Sequence, residues 1–261
     1  DRSVVVAMDD SEPTAVSISE LRDVTARMLR RHVGDENADR YVRWHDAPER
    51  DQPLIVLIGG ATGAGKSTVA THVAYHLDIT RVISTDAIRE VMRSTMTPQL
   101  APSLHGSSFE AADAVPAVFA HGSIDRLIIG FLHQASVVAV GVRQVLQRAV
   151  VEKQDMVLEG VHLVPGTLEL PSADDAFTVQ VVLEIEDAEA HRSRFTDRAD
   201  GEERPRQRYL AHFDEIRRIH DEMVRRAREH DIPTVRSAAL DATVAEVTGL
   251  AVETVTQHQQ A

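Results

Sequence analysis

Residues 60–67 read Gly60-Ala61-Thr62-Gly63-Ala64-Gly65-Lys66-Ser67, the pattern G-x-x-x-x-G-K-[ST]. No other feature restricts the fold of this chain so tightly. A loop of this kind curls backbone N–H groups around phosphate oxygens. Its glycines supply the torsion angles and the close approach that the curl requires. The flanks fit: Leu54-Ile55-Val56-Leu57-Ile58 is a short apolar strand entering the loop, and Ser67 to Leu77 carries a helical pattern leaving it. That helix adds the positive end of its dipole. Lys66 is then expected to reach the β/γ-phosphates and Ser67 to sit on Mg²⁺. Gly60 to Thr68 are the nucleotide-binding candidates, and Lys66 is a catalytic candidate as well.

Lys66 is one of only two lysines among 28 basic residues; the other is Lys153. Arginine stands almost everywhere else. A compact ammonium fits inside the loop where a planar guanidinium would not. With 43% hydrophobic and 26% charged residues the chain has the composition of an ordinary soluble globular protein. The absence of cysteine excludes disulfides, thiol catalysis and Cys-based metal sites. A net charge of −13 argues against general nucleic-acid binding, which runs on Lys and Arg neutralising phosphates. The N-terminal residues are acidic (Asp9, Asp10, Glu12) and carry no signal-peptide pattern. Leu127 to Val151 is long and apolar but contains His133, Gln134 and Arg143, so it reads as a buried helix and not a membrane span. A cytoplasmic protein with no nucleic-acid or membrane partner is expected; the oligomeric state is left open.

Residues 1–52 differ from the rest. Val4 to Ala7 is a short strand candidate, followed by a loose acidic stretch to Glu12. Ser17-Ile18-Ser19-Glu20 has capping-box spacing ahead of a helix with Leu21, Val24 and Met28 on one face. A second helix runs from about Glu36 to Trp44, and a polar linker follows. From residue 53 onward strands at 54–58, 81–84, 155–159, 179–185 and 232–235 alternate with helices, one of them from about Ser123 to Lys153. That alternation predicts a three-layer α/β fold with a parallel sheet covered on both faces. Ligands of such sheets bind at the carboxyl ends of the strands. The residues closing each strand therefore carry the search: the phosphate loop, Ser84-Thr85-Asp86, Glu159-Gly160-Val161-His162 and Glu186-Asp187.

Asp86 ends the second strand and opens a helix. A carboxylate here can accept the proton of an attacking hydroxyl, or it can simply cap the helix. Arg89, one turn on, can hold an anionic substrate or be a solvated charge. His105-Gly106-Ser107-Ser108 offers imidazole, hydroxyl and backbone donors in an irregular stretch after Pro102. Glu159 can hold Mg²⁺ through water, contact substrate, or be a surface carboxylate, and His162 follows it. Residues 191–218 are dense in arginine (Arg192, Arg194, Arg198, Arg204, Arg206, Arg208, Arg217, Arg218), with a tip at Asp200-Gly201. That pattern suits a lid closing over a triphosphate. Arg194 is the nucleotide-binding candidate of this lid and Arg198 the catalytic one.

Taken together, several runs resemble the 2-phosphoglycerate kinase family best known from archaea. They are Gly59 to Thr68, Arg81 to Val91 (RVISTDAIREV), Leu104 to Phe109 (LHGSSF), Leu158 to Gly166 (LEGVHLVPG), and Arg194-Phe195 leading to Arg208-Tyr209-Leu210. The resemblance covers roughly residues 18–250. It implies a phosphate-loop kinase fold over 53–261 and ATP- and Mg²⁺-dependent phosphorylation of the 3-hydroxyl of 2-phosphoglycerate. It also implies substrate roles for Arg89, His105, Ser107, Ser108, Glu159 and His162, and metal roles for Ser67 and Glu159. Residues 18–45 resemble a remnant of the ATP-cone-like module that full-length archaeal members carry. Two competitors stand beside this reading. One is a kinase of another acceptor, such as an inositol phosphate, a nucleoside or a sugar nucleotide. The other is a nucleotide-dependent switch, against which the missing Asn-Lys-x-Asp base-recognition motif speaks.

Overall fold

The computed structural model describes residues 3–6, 14–46, 50–115, 125–196 and 203–258. The chain divides into two units, Asp1–Arg50 with Val252–Ala261, and Asp51–Ala251.

In the first unit β1 (Ser3–Val6) pairs antiparallel with β2 (Thr14–Ser17). β2 was not expected. α1 (Ile18–His32) starts on the expected capping box, in which Ser17 Oγ accepts from the Glu20 N–H and the Glu20 carboxylate accepts from the Ser17 N–H. α2 spans Asp35–Asp46. The expected apolar stripe of α1 is exposed at Leu21, Val24 and Met28, whereas the small residues Ala26 and Ala38 are buried. The stripe therefore marks the helix period and not the buried face. The stretch to Glu12 lies largely outside the described residues.

The second unit is the expected parallel sheet. β3 (Leu54–Gly59), β4 (Val82–Ser84), β5 (Met156–Gly160), β6 (Phe177–Glu184) and β7 (Thr234–Arg236) lie in the order β4-β5-β3-β6-β7, every pair parallel. Every residue of β3 is buried, so both faces of the sheet are covered. Ile55 and Leu57 join one core with Val138, Val142 and Leu146; strand alternation turns Val56 and Ile58 to the other face. The chain leaves β3 for the outer strand β4, returns through β5, and crosses to β6 on the far side. The switch point is thus at the carboxyl end of β3, where the glycine loop begins.

α3 (Lys66–His76) leaves that loop, and α4 (Thr85–Thr95) follows β4. Two 3₁₀ segments, Pro102–His105 and Ser108–Ala114, occupy the stretch read as irregular. α5 (Arg126–Glu152) is capped by Asp125, whose Oδ1 accepts from the N–H groups of Leu127 and Ile128. Among the described residues it is the one helix long and apolar enough to cross a membrane. Its apolar stripe, from Leu127 and Phe131 to Leu146, lies in the core. α6 (Ala188–Thr196), α7 (Glu203–Ala211), α8 (Phe213–Glu229) and the part of α9 (Leu240–His258) before Val252 complete the unit's elements. Arg217 and Arg218, read with the lid, belong to α8, where Arg217 donates to the Ile185 carbonyl and Arg218 pairs with Asp125.

Candidate active site

Gly63 and Gly65 take φ of +83° and +84°, the left-handed region that favours glycine. A Cβ on Gly63 would also stand 2.5 Å from Phe195 Cζ. Lys66 Nζ donates to the Ala61 carbonyl at 2.9 Å, and the Ala64 N–H closes a turn onto the same carbonyl at 3.1 Å. The outer side of the loop is held by other elements. Arg194 donates to Ala64 O (3.2 Å) and Ser237 Oγ (3.0 Å), and Ser237 Oγ in turn donates to Ala64 O at 2.8 Å. Arg194 is thus placed behind the loop. Burial pushes its guanidinium below the ordinary arginine range.

Sheet register assembles the rest. Glu159 on β5 stands opposite Ile58 of β3 and Ser84 of β4. It accepts a hydrogen bond from Ser67 Oγ at 3.0 Å, between the first turn of α3 and the end of β5. Burial raises the Glu159 pKa, the Lys66 ammonium and the Ser67 hydroxyl oppose that shift, and the Asp86 carboxylate adds to it. Asp86 is the second residue of α4, not its cap: Ser84 Oγ accepts from the Ala87 N–H and takes that role. The Asp86 side chain remains 64% exposed, 3.6 Å from Arg89 Nε. Gly160, at φ +156°, lets Thr85 pack where a Cβ would lie 1.7 Å from Thr85 Oγ1. Lys66, Ser67, Asp86 and Glu159 therefore converge at the ends of three adjacent strands.

The other candidates divide. Arg89 is only 14% exposed, and it donates to Leu104 O (2.8 Å) and pairs with Glu90, fastening the 104–106 segment to α4. His105 Nε2 bonds the Met96 carbonyl at 2.9 Å. Ser108 is buried. Ser107 Oγ accepts from Arg208 of α7, whose guanidinium also grips both oxygens of Glu110. His162 is buried with Nδ1 2.9 Å from Thr85 Oγ1, and its Nε2 has no partner; as it stands, it supports the wall of the site. Arg198 and the Asp200-Gly201 tip lie outside the described residues. Arg226 is half-buried and donates to Pro165 O at 3.1 Å.

Reading the residues in order missed Ser237, Glu110 and His191. Ser237 follows the fifth strand, so the strand-end rule applied to β7 would have found it. Glu110 stands at capping-box spacing from Ser107, a local signal that could have found it; no local pattern marks His191.

Burial holds the imidazoles of His162, His191 and His220 below the ordinary range, which should make the folded protein acid-sensitive. Burial pushes both His162 and His191 from 6.5 to about 4. Between those values the unfolded chain binds protons that the folded chain refuses. Stability is then complete above pH 6.5 and falls as pH drops toward 4, by about 1.4 kcal/mol per pH unit for each imidazole. Urea unfolding midpoints at pH 7 and 4.5 check this. The loss should be shallower in His191→Gln, and an equal loss in that variant would assign the acid sensitivity elsewhere.

Residues 38–108 match the family model described as Zeta toxin. The chain is 39% identical over 242 residues to a 2-phosphoglycerate kinase of Methanopyrus kandleri, covering 92% of this chain and 73% of the relative. It is 41% identical over 233 residues to the enzyme of that name from Thermococcus kodakarensis, covering 89% and 78%. A solved gluconokinase from Sinorhizobium meliloti superimposes over 81% of this chain and 99% of its own, at 15% identity and a TM-score of 0.48, too loosely to bear on function.

Proposed function

The chain belongs to the 2-phosphoglycerate kinase family, and from that premise we propose that it transfers the γ-phosphoryl group of ATP to the hydroxyl of 2-phosphoglycerate, giving 2,3-bisphosphoglycerate and ADP. The observation that carries this is the convergence of Lys66, Ser67, Asp86 and Glu159 at one end of the sheet. The glycine loop and the amino end of α3 take the triphosphate, and Lys66 neutralises charge on its outer phosphates. Asp86, exposed and at the rim, accepts the hydroxyl proton as that oxygen bonds to the γ-phosphorus and the bond to the bridging oxygen breaks.

Ser67 and Glu159 suit Mg²⁺. They are oxygen donors, hard ligands of the kind this ion prefers, and the ion typically keeps several waters and leans on substrate phosphates. No cluster of three or more His, Asp or Glu side chains able to hold a metal occurs among the described residues. Bound by Ser67 and Glu159, Mg²⁺ would offset negative charge on the phosphoryl oxygens.

An anionic acceptor agrees with Arg208. Its guanidinium already grips the Glu110 carboxylate through Nε and Nη2, the fork geometry that also matches a phosphate. Of the other lid arginines, Arg198 and Arg204 are proposed to reach the transferring group when the lid closes.

The test is ADP release with ATP and Mg²⁺, without acceptor and with 2-phosphoglycerate, an inositol phosphate, a nucleoside or a sugar nucleotide. Stimulation by 2-phosphoglycerate, with bisphosphoglycerate recovered, is the expected result. Stimulation by another acceptor alone would replace the substrate. Slow turnover that no acceptor changes would favour a switch.

A further inference from the structure

α6 makes successive contacts with successive residues of the phosphate loop. His191 Nε2 lies 2.8 Å from the Thr62 carbonyl. Phe195, one turn later and 1% exposed, packs where a Gly63 side chain would be. Arg194 donates to Ala64 O. The sequence singles out Arg194 and Phe195 but not His191.

His191 is fully buried, and its two nitrogens have unlike neighbours. Nε2 meets a carbonyl, which only accepts. Nδ1 lies 3.4 Å from Arg217 Nη1, which only donates. Both contacts are satisfied by one arrangement alone, with the proton on Nε2 and the lone pair on Nδ1. Arg217 is itself fixed from α8, by Ile185 O at 2.8 Å and Asp221 Oδ1 at 3.3 Å. Burial lowers the pKa of the ring and keeps it neutral at physiological pH; the hydrogen bond to Thr62 O opposes that shift, and the charges of Arg217, His220 and Arg194 add to it.

The consequence follows from peptide geometry. In a trans peptide the C=O and the next N–H point opposite ways. A Thr62 carbonyl drawn outward to α6 turns the Gly63 N–H to the other side, the concave side of the loop. The Ala64 carbonyl, held by Arg194 and Ser237, does the same for the Gly65 N–H. Gly63 has no side chain to resist a peptide flip, so the orientation has to be imposed from outside.

We propose that His191 is a positioning residue for the phosphate loop: its Nε2–H, fixed in that tautomer by Arg217, pins the Thr62 carbonyl outward and presents the Gly63 N–H to the triphosphate. This rests on the nucleotide site and not on the identity of the acceptor.

The experiment is binding of a non-hydrolysable ATP analogue with Mg²⁺ to the full chain, alongside melting temperature. His191→Phe keeps an aromatic ring but leaves the Thr62 carbonyl without its donor. A buried hydrogen bond lost with its partner left in place corresponds to a Kd raised about ten-fold. His191→Gln retains an N–H donor and should bind within about two-fold of wild type. In turnover, the nucleotide KM should rise in the Phe variant while the acceptor KM holds. A well-folded Phe variant with wild-type Kd would overturn the proposal. Should that variant fail to fold, the imidazole nitrogen resonances of His191 in the wild-type protein decide: an Nε2–H tautomer sustains the proposal, and an Nδ1–H tautomer overturns it. Failure of 2-phosphoglycerate as acceptor would leave the analogue Kd and the imidazole resonances unaffected.

Discussion

Asp86→Asn is expected to lower kcat by about 10²–10⁴-fold, the usual contribution of a general base, while nucleotide binding changes little. The structure makes the result interpretable. Ser84 caps α4, so the substitution leaves the cap in place. The Asp86–Arg89 contact, at 3.6 Å with Asp86 largely exposed, is weak. A first-turn acid is worth about 0.3–1 kcal/mol to a helix, so the melting temperature should fall slightly at most. The amide keeps the shape and polarity of the carboxylate but cannot take the proton. A kcat within a few-fold of wild type would reduce Asp86 to a helix charge and move the base elsewhere, with buried Glu159 next in line.

Lys66→Ala is expected to cost about 10²–10³ in kcat, the scale found when one preorganised donor is removed from a charged transition state. Nucleotide affinity should fall as well, because the ammonium acts on phosphate charge before and during transfer. Folding should survive. The loop is held from outside by Arg194 and Ser237, and its turn is closed by the Ala64 N–H, none of which needs Lys66. Turnover near wild type in a folded variant would remove the nucleotide assignment itself. The two variants differ in their signature. Lys66→Ala affects nucleotide Kd and kcat together, whereas Asp86→Asn affects kcat alone. Single-turnover phosphate transfer with a parallel nucleotide titration separates them.

What the linear chain determines here is local or periodic. Gly60 to Ser67 declares its loop because only glycine adopts the φ of Gly63 and Gly65 without strain, and because strand and helix patterns flank it. The strand–helix alternation implies the parallel sheet, and with it the end of the sheet where Glu159 and Asp86 must meet the loop. The capping box at Ser17 and Glu20 is legible because its partners lie three residues apart. Tertiary structure decided everything that depends on partners distant in sequence. Asp86 is a possible cap from the sequence, but the helix begins one residue before it and Ser84 takes that role. Arg89 and Arg208 are both mobile cations in sequence. One is engaged by carbonyls at the 104–106 segment, the other by a carboxylate 98 residues away. His191 looks like any surface histidine on a polar helix. Its role exists because packing drives it into the core between the loop and Arg217, where hydrogen bonding leaves it one tautomer. Long side chains carry no period that reports their ends, so their chemistry is settled only when the fold brings a donor to an acceptor.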